Sequence, residues 1–407
     1  MVLYIDPGTG SMLFTILIGV VGAAIYGLRE LYIKMRFNLS GGRVSAVDEK
    51  HENIVIFSDH KRYWNVFEPI CDEFERREKS LEYMTFSPDD PALDKNYQHV
   101  KCTYIGEGNK GFAKLNTLHA DILFSSTPSL DVLYWKRSKN VKYYIHIPHA
   151  ANDPSMYRMF GLDFYDAIMI SGDYQEQQIR ELEKIRGISQ KELPKAGLIY
   201  MDAMKKRLNE AGAEPDHPVT VLLAPSWGSN SIFSTYRGKI IQALIDTGYH
   251  IIVRPHPQSY TADKELLDEI MNEYPGNEQL EWNRDNDNFD VLRRSDLLIS
   301  DFSGIIFDFT LVFDKPIIYA DTSYDKAATD ACWLEEETWT FQTLPKLGPQ
   351  LSESKLADMK SMIDDCLNNP KYKEARKQAA LETWAYPGES VKRTVDYILE
   401  KERDLEN

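Results

Sequence analysis

The sequence predicts an α/β protein of two sheet-based domains behind an apolar N-terminal segment. Three observations carry this: an uncharged apolar run near the start, two successive series of β-branched runs alternating with amphipathic helical runs, and a hinge of small residues and prolines between the series. A chain of 407 residues, 43% hydrophobic and 12% aromatic, has the apolar content to bury more than one core.

The run Met12 to Leu28 has no charged residue, and continuing through Leu31 to Ile33 brings it to about the 20 residues a bilayer demands. Asp6 precedes it without any Lys or Arg, whereas Arg29, Lys34, Arg36 and Arg43 follow. The positive-inside rule then predicts a single-pass transmembrane helix within residues 1–40, in the inner membrane, with everything downstream in the cytoplasm. A cleaved secretory signal is the rival reading, and it wants a basic region before the run and a small-residue cleavage site after it. Gly19, Gly22 and Gly27 argue against a helix buried in a soluble core, because glycine lowers helix propensity in water.

The first α/β series gives a domain over residues 50–210. Its strands are predicted at 53–59, 81–87, 100–106, 121–127, 141–147 and 166–171, with helices such as 64–77 and 174–186 between them. The hinge is Ala211 to Pro218. The second series, residues 218–385, has strands at 219–226, 249–257, 295–301 and 316–321. These runs are nearly continuously apolar, as strands buried on both faces of a parallel sheet are. Residues 386–407 form a C-terminal helix after a break at Ala385-Tyr386-Pro387-Gly388.

With 63 acidic against 47 basic residues the net charge is −16, which argues against a nucleic-acid partner. An anionic ligand therefore needs a local arrangement of donors. Cys71, Cys102, Cys332 and Cys366 have no metal-site or disulfide-framework spacing. No cofactor and no metal site is expected. Asp285-Asn286-Asp287 is read as a solvated acidic loop, with a divalent cation as the alternative.

Three motifs carry chemistry. Ser300-Asp301-Phe302-Ser303-Gly304 ends an apolar strand and opens a helix, which sets hydroxyls and backbone N–H groups at a positive terminus and makes a phosphate cradle. Its other reading is a plain helix cap. Arg254-Pro255-His256-Pro257 ends another strand, so His256 and Arg254 project from a carboxyl edge, where open α/β sheets bind ligands; a turn-capping His is the alternative. His149 follows the strand 141–147 and precedes two alanines, so it is the candidate to face an interdomain cleft as general base, while His146 is read as structural. The P-loop, G-x-G-x-x-G and G-x-S-x-G fingerprints are absent from the sequence.

Together, RPHPQS and the block FDVLRRSDLLISDFSGIIFDFTLVFDKPIIY resemble the C-terminal motifs of the CDP-glycerol glycerophosphotransferase family of teichoic-acid-type polymerases and primases. His256, Ser300, Asp301, Ser303, Phe307, Asp308, Lys315 and Pro316 match; Phe302 and Gly304 stand for the family's Tyr and Ser. Pro148-His149-Ala150 stands where the family has Trp-His-Gly, and in Leu222 to Trp227 the run is similar to the family's Ala-Pro-Thr-Trp-Arg, with Gly228 at the Arg position. The resemblance covers most of residues 141–349. It implies a GT-B fold of two Rossmann-like domains facing a cleft, the C-terminal one holding the CDP-glycerol or CDP-polyol donor and the N-terminal one the lipid-linked acceptor at a membrane. It further implies that His149 and His256 are catalytic and that Arg254, Ser300, Asp301, Ser303 and Gly304 hold the donor phosphates. A GT-B glycosyltransferase using a nucleotide sugar, and an inactive tethered binding protein, remain the alternative readings.

Overall fold

The computed structural model describes residues 52–214, 216–285 and 287–406. Within the compact body Glu52–Asn407 there are two parallel six-stranded sheets. The first runs in the order β3-β2-β1-β4-β5-β6, from β1 (Glu52–Ser58), β2 (Leu81–Thr85), β3 (Val100–Tyr104), β4 (Ala120–Ser125), β5 (Val141–His146) and β6 (Ala167–Ile168). The second runs β12-β11-β10-β7-β8-β9, from β7 (Thr220–Leu223), β8 (His250–Val253), β9 (Leu280–Trp282), β10 (Leu297–Ser300), β11 (Ile317–Ala320) and β12 (Gln350–Leu351).

In both sheets the winding reverses once, between β1 and β4 and between β7 and β10. At such a reversal the loops leaving neighbouring strands diverge and open a crevice at the carboxyl edge. The central strands are buried on both faces: Ile54 to Phe57 in β1, and all of β4, β7 and β10. This is why they read as continuous apolar runs in the sequence. Two strands escaped the sequence reading, β9 and β12. Both lie at the edges of the second sheet and are three and two residues long, too short to stand out as apolar runs.

Helices cover the sheets by the usual amphipathic logic. Trp64–Arg76 turns Val66, Phe67, Ile70, Cys71 and Phe74 inward at three- and four-residue spacing. Asp173–Arg186 has acids in its first turn, bases in its last, and ends on Gly187 at φ 63, a left-handed conformation that glycine adopts without steric cost. The C-terminal stretch is two helices, Lys373–Thr383 and Ser390–Glu406. The last one crosses back to the first sheet: Val395 and Ile398 enter that core, Asp396 pairs with Arg77 at 2.7 Å and Lys401 with Glu192 at 2.7 Å. The Asp202 carboxylate holds the turn between the two helices by accepting from Trp384 Nε1 at 2.8 Å and from the Gly388 amide at 2.8 Å.

The expected transmembrane helix and the inner-membrane, single-pass location built on it are corrected here. No helix among the described residues is long and apolar enough to cross a membrane. The longest of them, Ser390–Glu406, has 17 residues, is amphipathic and carries charges throughout, whereas a span needs about 20 apolar ones. The run Met12 to Ile33, and with it the whole segment 1–40, lies outside the described residues.

The lobes are tied by buried carboxylates. Asp153, beyond β5, accepts hydrogen bonds from the Trp339 amide (2.8 Å), the Thr340 amide (2.9 Å), Thr340 Oγ1 (2.5 Å) and Gln178 Nε2 (2.5 Å). It thereby caps the helix Trp339–Leu347 of the other lobe. Asp330 pairs with Arg186 and accepts from the Phe160 amide at 2.8 Å. Removing one buried acceptor strands several donors at once. Asp153→Ala is therefore expected to lower the unfolding free energy by about 2–3 kcal/mol, read from urea denaturation, with Asp153→Asn intermediate.

Candidate active site

The carboxyl edges of both sheets border one cleft of about 580 Å³. From the first lobe come the loop after β1, with His60, Arg62 and Tyr63, and the loop after β5, with His149, Ala150 and Asn152. From the second come Ala224 and Pro225 after β7, Arg254 to Gln258 after β8, and Ser303 to Ile305 after β10. Tyr200, Asn288 and Asp308 complete the wall. Five residues singled out from the sequence thus meet here: His149, Arg254, His256, Ser303 and Gly304.

Ser300 and Asp301 are not brought to the cleft. Ser300 is fully buried and donates through Oγ to the Ala224 carbonyl at 2.6 Å. The Asp301 carboxylate is also buried and accepts from the amides of Ser226 (3.0 Å), Ile232 (3.1 Å) and Phe302 (2.9 Å). Their work is to fix the loop after β7 against the end of β10. Ser303 and Gly304 follow directly and open a helical turn, Ile305–Phe307, that continues as a π-helical turn, Asp308–Val312. The lobes approach closely at this point, since a Cβ added to Gly304 would stand 3.1 Å from Asn152 Oδ1.

The two imidazoles differ in their surroundings. His256 Nδ1 accepts from the Gln258 amide at 3.1 Å, which places the proton of the neutral ring on Nε2 and makes that atom a donor. Burial, with the charges of Arg62 and Arg254, pushes its pKa down to about 4 against a weaker pull from Asp263. His149 packs 4.9 Å from the Tyr63 ring, and its Nδ1 is buried without a partner, which leaves Nε2 to the cleft. Its pKa is likewise lowered to about 4 by burial and by Arg62. Both rings are therefore neutral near pH 7 while the cleft is unoccupied, and a bound anion would draw both pKa values back up. His146 lies deeper, with Nε2 3.3 Å from Tyr157 Oη, in keeping with a structural role.

Arg254 lines the cleft and donates to Asn283 Oδ1 at 2.5 Å. Asp308 presents a buried carboxyl whose Oδ1 has no partner, and burial pushes its pKa up to about 7. Beside it Tyr200 Oη donates to Asn288 Oδ1 at 2.6 Å. This polar wall suits hydroxyl groups. In the acidic loop, Asp287 pairs with Arg207 at 2.6 Å and Asp285 accepts from Asn283 at 2.8 Å, so both carboxylates already have protein partners. Asn286 lies outside the described residues. The sequence reading missed Arg62, Tyr63, Tyr200 and Asn288. For Arg62 a signal existed: the charged run His60-Lys61-Arg62 directly follows the first strand, where a doubly wound sheet opens its crevice.

Residues 158–331 match the family described as CDP-glycerol:poly(glycerophosphate) glycerophosphotransferase. That stretch is less than half of the chain, and over it the chain is similar to the glycerophosphotransferase family. A search of curated proteins finds no sequence match. Among solved structures, a wall teichoic acid polymerase TagF variant soaked with CDPG is similar at TM-score 0.56 and 14% identity, covering 94% of this chain and 98% of that one. The UDP-GlcNAc 2-epimerase of Methanocaldococcus jannaschii, with UDP-GlcNAc and UDP, is similar at TM-score 0.55 and 11% identity, over 86% and 99%. The S. aureus MnaA–UDP structure is similar at TM-score 0.54 and 13% identity, over 86% and 96%. At these identities the likeness is one of fold, the two-domain GT-B arrangement. With the family match it makes this chain a glycerophosphotransferase-like enzyme.

The buried His146 gives this chain a measurable acid response. Burial lowers the His146 pKa from 6.5 to about 3, so the unfolded chain takes up this proton first. Its contribution to stability is full above pH 6.5 and is lost as the pH falls toward the folded value. The stability advantage of the wild type over His146→Asn, measured by urea unfolding, should therefore shrink steadily from pH 6.5 downward. Carboxyl groups raised by burial act equally in both proteins and cancel in the difference.

Proposed function

We propose that this enzyme transfers glycerophosphate, or a related polyol phosphate, from a CDP-activated donor to a hydroxyl of a cell-envelope glycopolymer, lipid-linked as the family resemblance implies. The observation that carries the reading is that His149 and His256, from opposite lobes, line the same cleft beside Ser303. In the reaction the acceptor oxygen bonds to the polyol-side phosphorus, the bond from that phosphorus to the bridging oxygen breaks, and CMP leaves with the electron pair. The hydroxyl proton passes to His149 Nε2. A neutral imidazole of low pKa is a weak base, and the donor's negative charge strengthens it once bound.

The second lobe receives the donor. His256 Nε2–H, the Ser303 hydroxyl and the amides opening the turn at Gly304 are donors directed at phosphate oxygens, and Arg254 adds charge. Such groups stabilise the departing CMP without reorganising, which is the main protein contribution to phosphoryl transfer. Asp308, Asn288 and Tyr200 provide partners for the donor's hydroxyl groups. Transfer of a sugar from a nucleotide sugar is the second reading, and the similarity of fold to two proteins seen with UDP favours it.

Incubation with CDP-glycerol and a lipid-linked acceptor should release CMP. His149→Ala and His256→Ala should each reduce this turnover by about 100-fold or more while the unfolding midpoint stays within the wild-type range. Nucleotide release only from a sugar nucleotide would decide for the second reading. Absence of turnover with every donor, unaffected by either substitution, would decide for a binding protein.

A further inference from the structure

Arg62 is a charged group of the cleft that neither the sequence motifs nor the donor lobe accounts for. It sits on the loop after β1, at the reversal point of the first sheet. That loop is stiffened locally: the Lys61 amide donates to Ser87 Oγ at 2.9 Å, the Arg62 amide to His60 Nδ1 at 3.1 Å, and Ser58 Oγ to the His60 carbonyl at 3.0 Å. The guanidinium, by contrast, has only the Tyr63 ring beside it, 5.7 Å from the ring centre. Its Nε is buried without a hydrogen-bond partner, and among the described residues no carboxylate forms an ion pair with it. Asp59 on the same loop forms no ion pair with it, and burial shifts that carboxyl toward its neutral form. A half-buried arginine in a chain of net charge −16 has ample carboxylates to choose from, yet forms an ion pair with none among the described residues.

Its position relative to the histidines is equally specific. Arg62 lines the same cavity as both imidazoles and Ser303. Its charge acts on His149 in its own lobe and also on His256 in the other, where it outweighs the charge of Arg254 two residues away in sequence. Arg62 therefore shares one cavity with groups from both lobes.

We propose that Arg62 is a cross-lobe arginine that binds the distal phosphate of the donor's diphosphate, the group being transferred, and stabilises the charge that develops there. The proposal rests on the reading that a nucleoside diphosphate compound occupies this cleft. It assigns the phosphates to different lobes: Ser303, Gly304 and His256 address the nucleotide side, and Arg62 addresses the side that leaves with the acceptor. A guanidinium presents a planar fork that matches two phosphate oxygens, and an arginine supplied from across a cleft is a recurrent device in phosphoryl transfer. Its half-buried position on a hydrogen-bonded loop, without an ion pair, means that it is already in place before binding.

The test compares nucleoside diphosphates with monophosphates. Binding of CDP, CMP, UDP and UMP to the full chain is measured by calorimetry for wild type, Arg62→Lys and Arg62→Met. The uridine pair keeps the result independent of which base the site prefers. Expected is a loss of about tenfold or more in diphosphate affinity in Arg62→Met, with monophosphate affinity changed less than about threefold and Arg62→Lys intermediate. Equal loss for both classes, or no loss for either, overturns the assignment, as does a wild-type chain that binds neither diphosphate. In turnover with CDP-glycerol, Arg62→Met should lower kcat about 100-fold, and added guanidinium ion should restore part of it in this variant but not in His149→Ala. A purely structural role would show no such rescue. If wild type binds diphosphates with the expected discrimination but never turns over CDP-glycerol, the donor assignment fails while the role of Arg62 stands.

Discussion

Two parallel sheets form a shared site only when their carboxyl edges are held toward each other, and in this chain buried carboxylates do the holding. Asp153 reaches from the first lobe to cap the helix Trp339–Leu347, and Asp330 reaches from the second to Arg186 and the Phe160 amide. The stacking of Tyr174 on Trp339 at 4.6 Å and the single antiparallel bridge between Arg158 and Thr329 extend the same seam. Carboxylates buried in this way are tolerated because hydrogen-bond donors surround them. The geometry of the cleft follows from that seam, since Gly304 and Asn152 meet across it so closely that a Cβ on Gly304 would stand 3.1 Å from Asn152 Oδ1.

The second constraint is electrostatic. An acidic protein must attract an anionic donor into a cleft without filling that cleft with its own carboxylates. The acids near the site are therefore either shifted toward the neutral form by burial, as Asp308 is, or committed to structure, as Asp301 and Asp287 are. What remains in the cleft is cationic or neutral: Arg62, Arg254 and two imidazoles whose burial keeps them uncharged until an anion arrives. Burial that weakens the histidines in the empty site also excludes the water that would screen them in the filled one.

Much of this was legible in the residue order. The apolar runs of β1, β4, β7, β10 and β11 announce buried parallel strands because both faces of each must be covered. His149, His256 and Ser303 stood out because each follows such a run, and strand ends are where a parallel sheet exposes polar groups to a ligand. The short edges β9 and β12 were invisible, having too few residues to set up a pattern. Ser300 and Asp301 show the opposite limit. In sequence they are indistinguishable from their neighbour Ser303, yet a turn of the backbone sends them inward to cap the loop after β7.

The residue order alone established two α/β halves, their family resemblance and the strand ends from which polar groups could act, because hydrophobic periodicity is a local property of the chain. Tertiary structure decided which of those groups share a cleft, that the last helix returns to the first sheet, and that Arg62 lines the same cleft as the two histidines. These are relations between residues far apart in sequence, fixed by packing and by buried hydrogen bonds that no local pattern encodes.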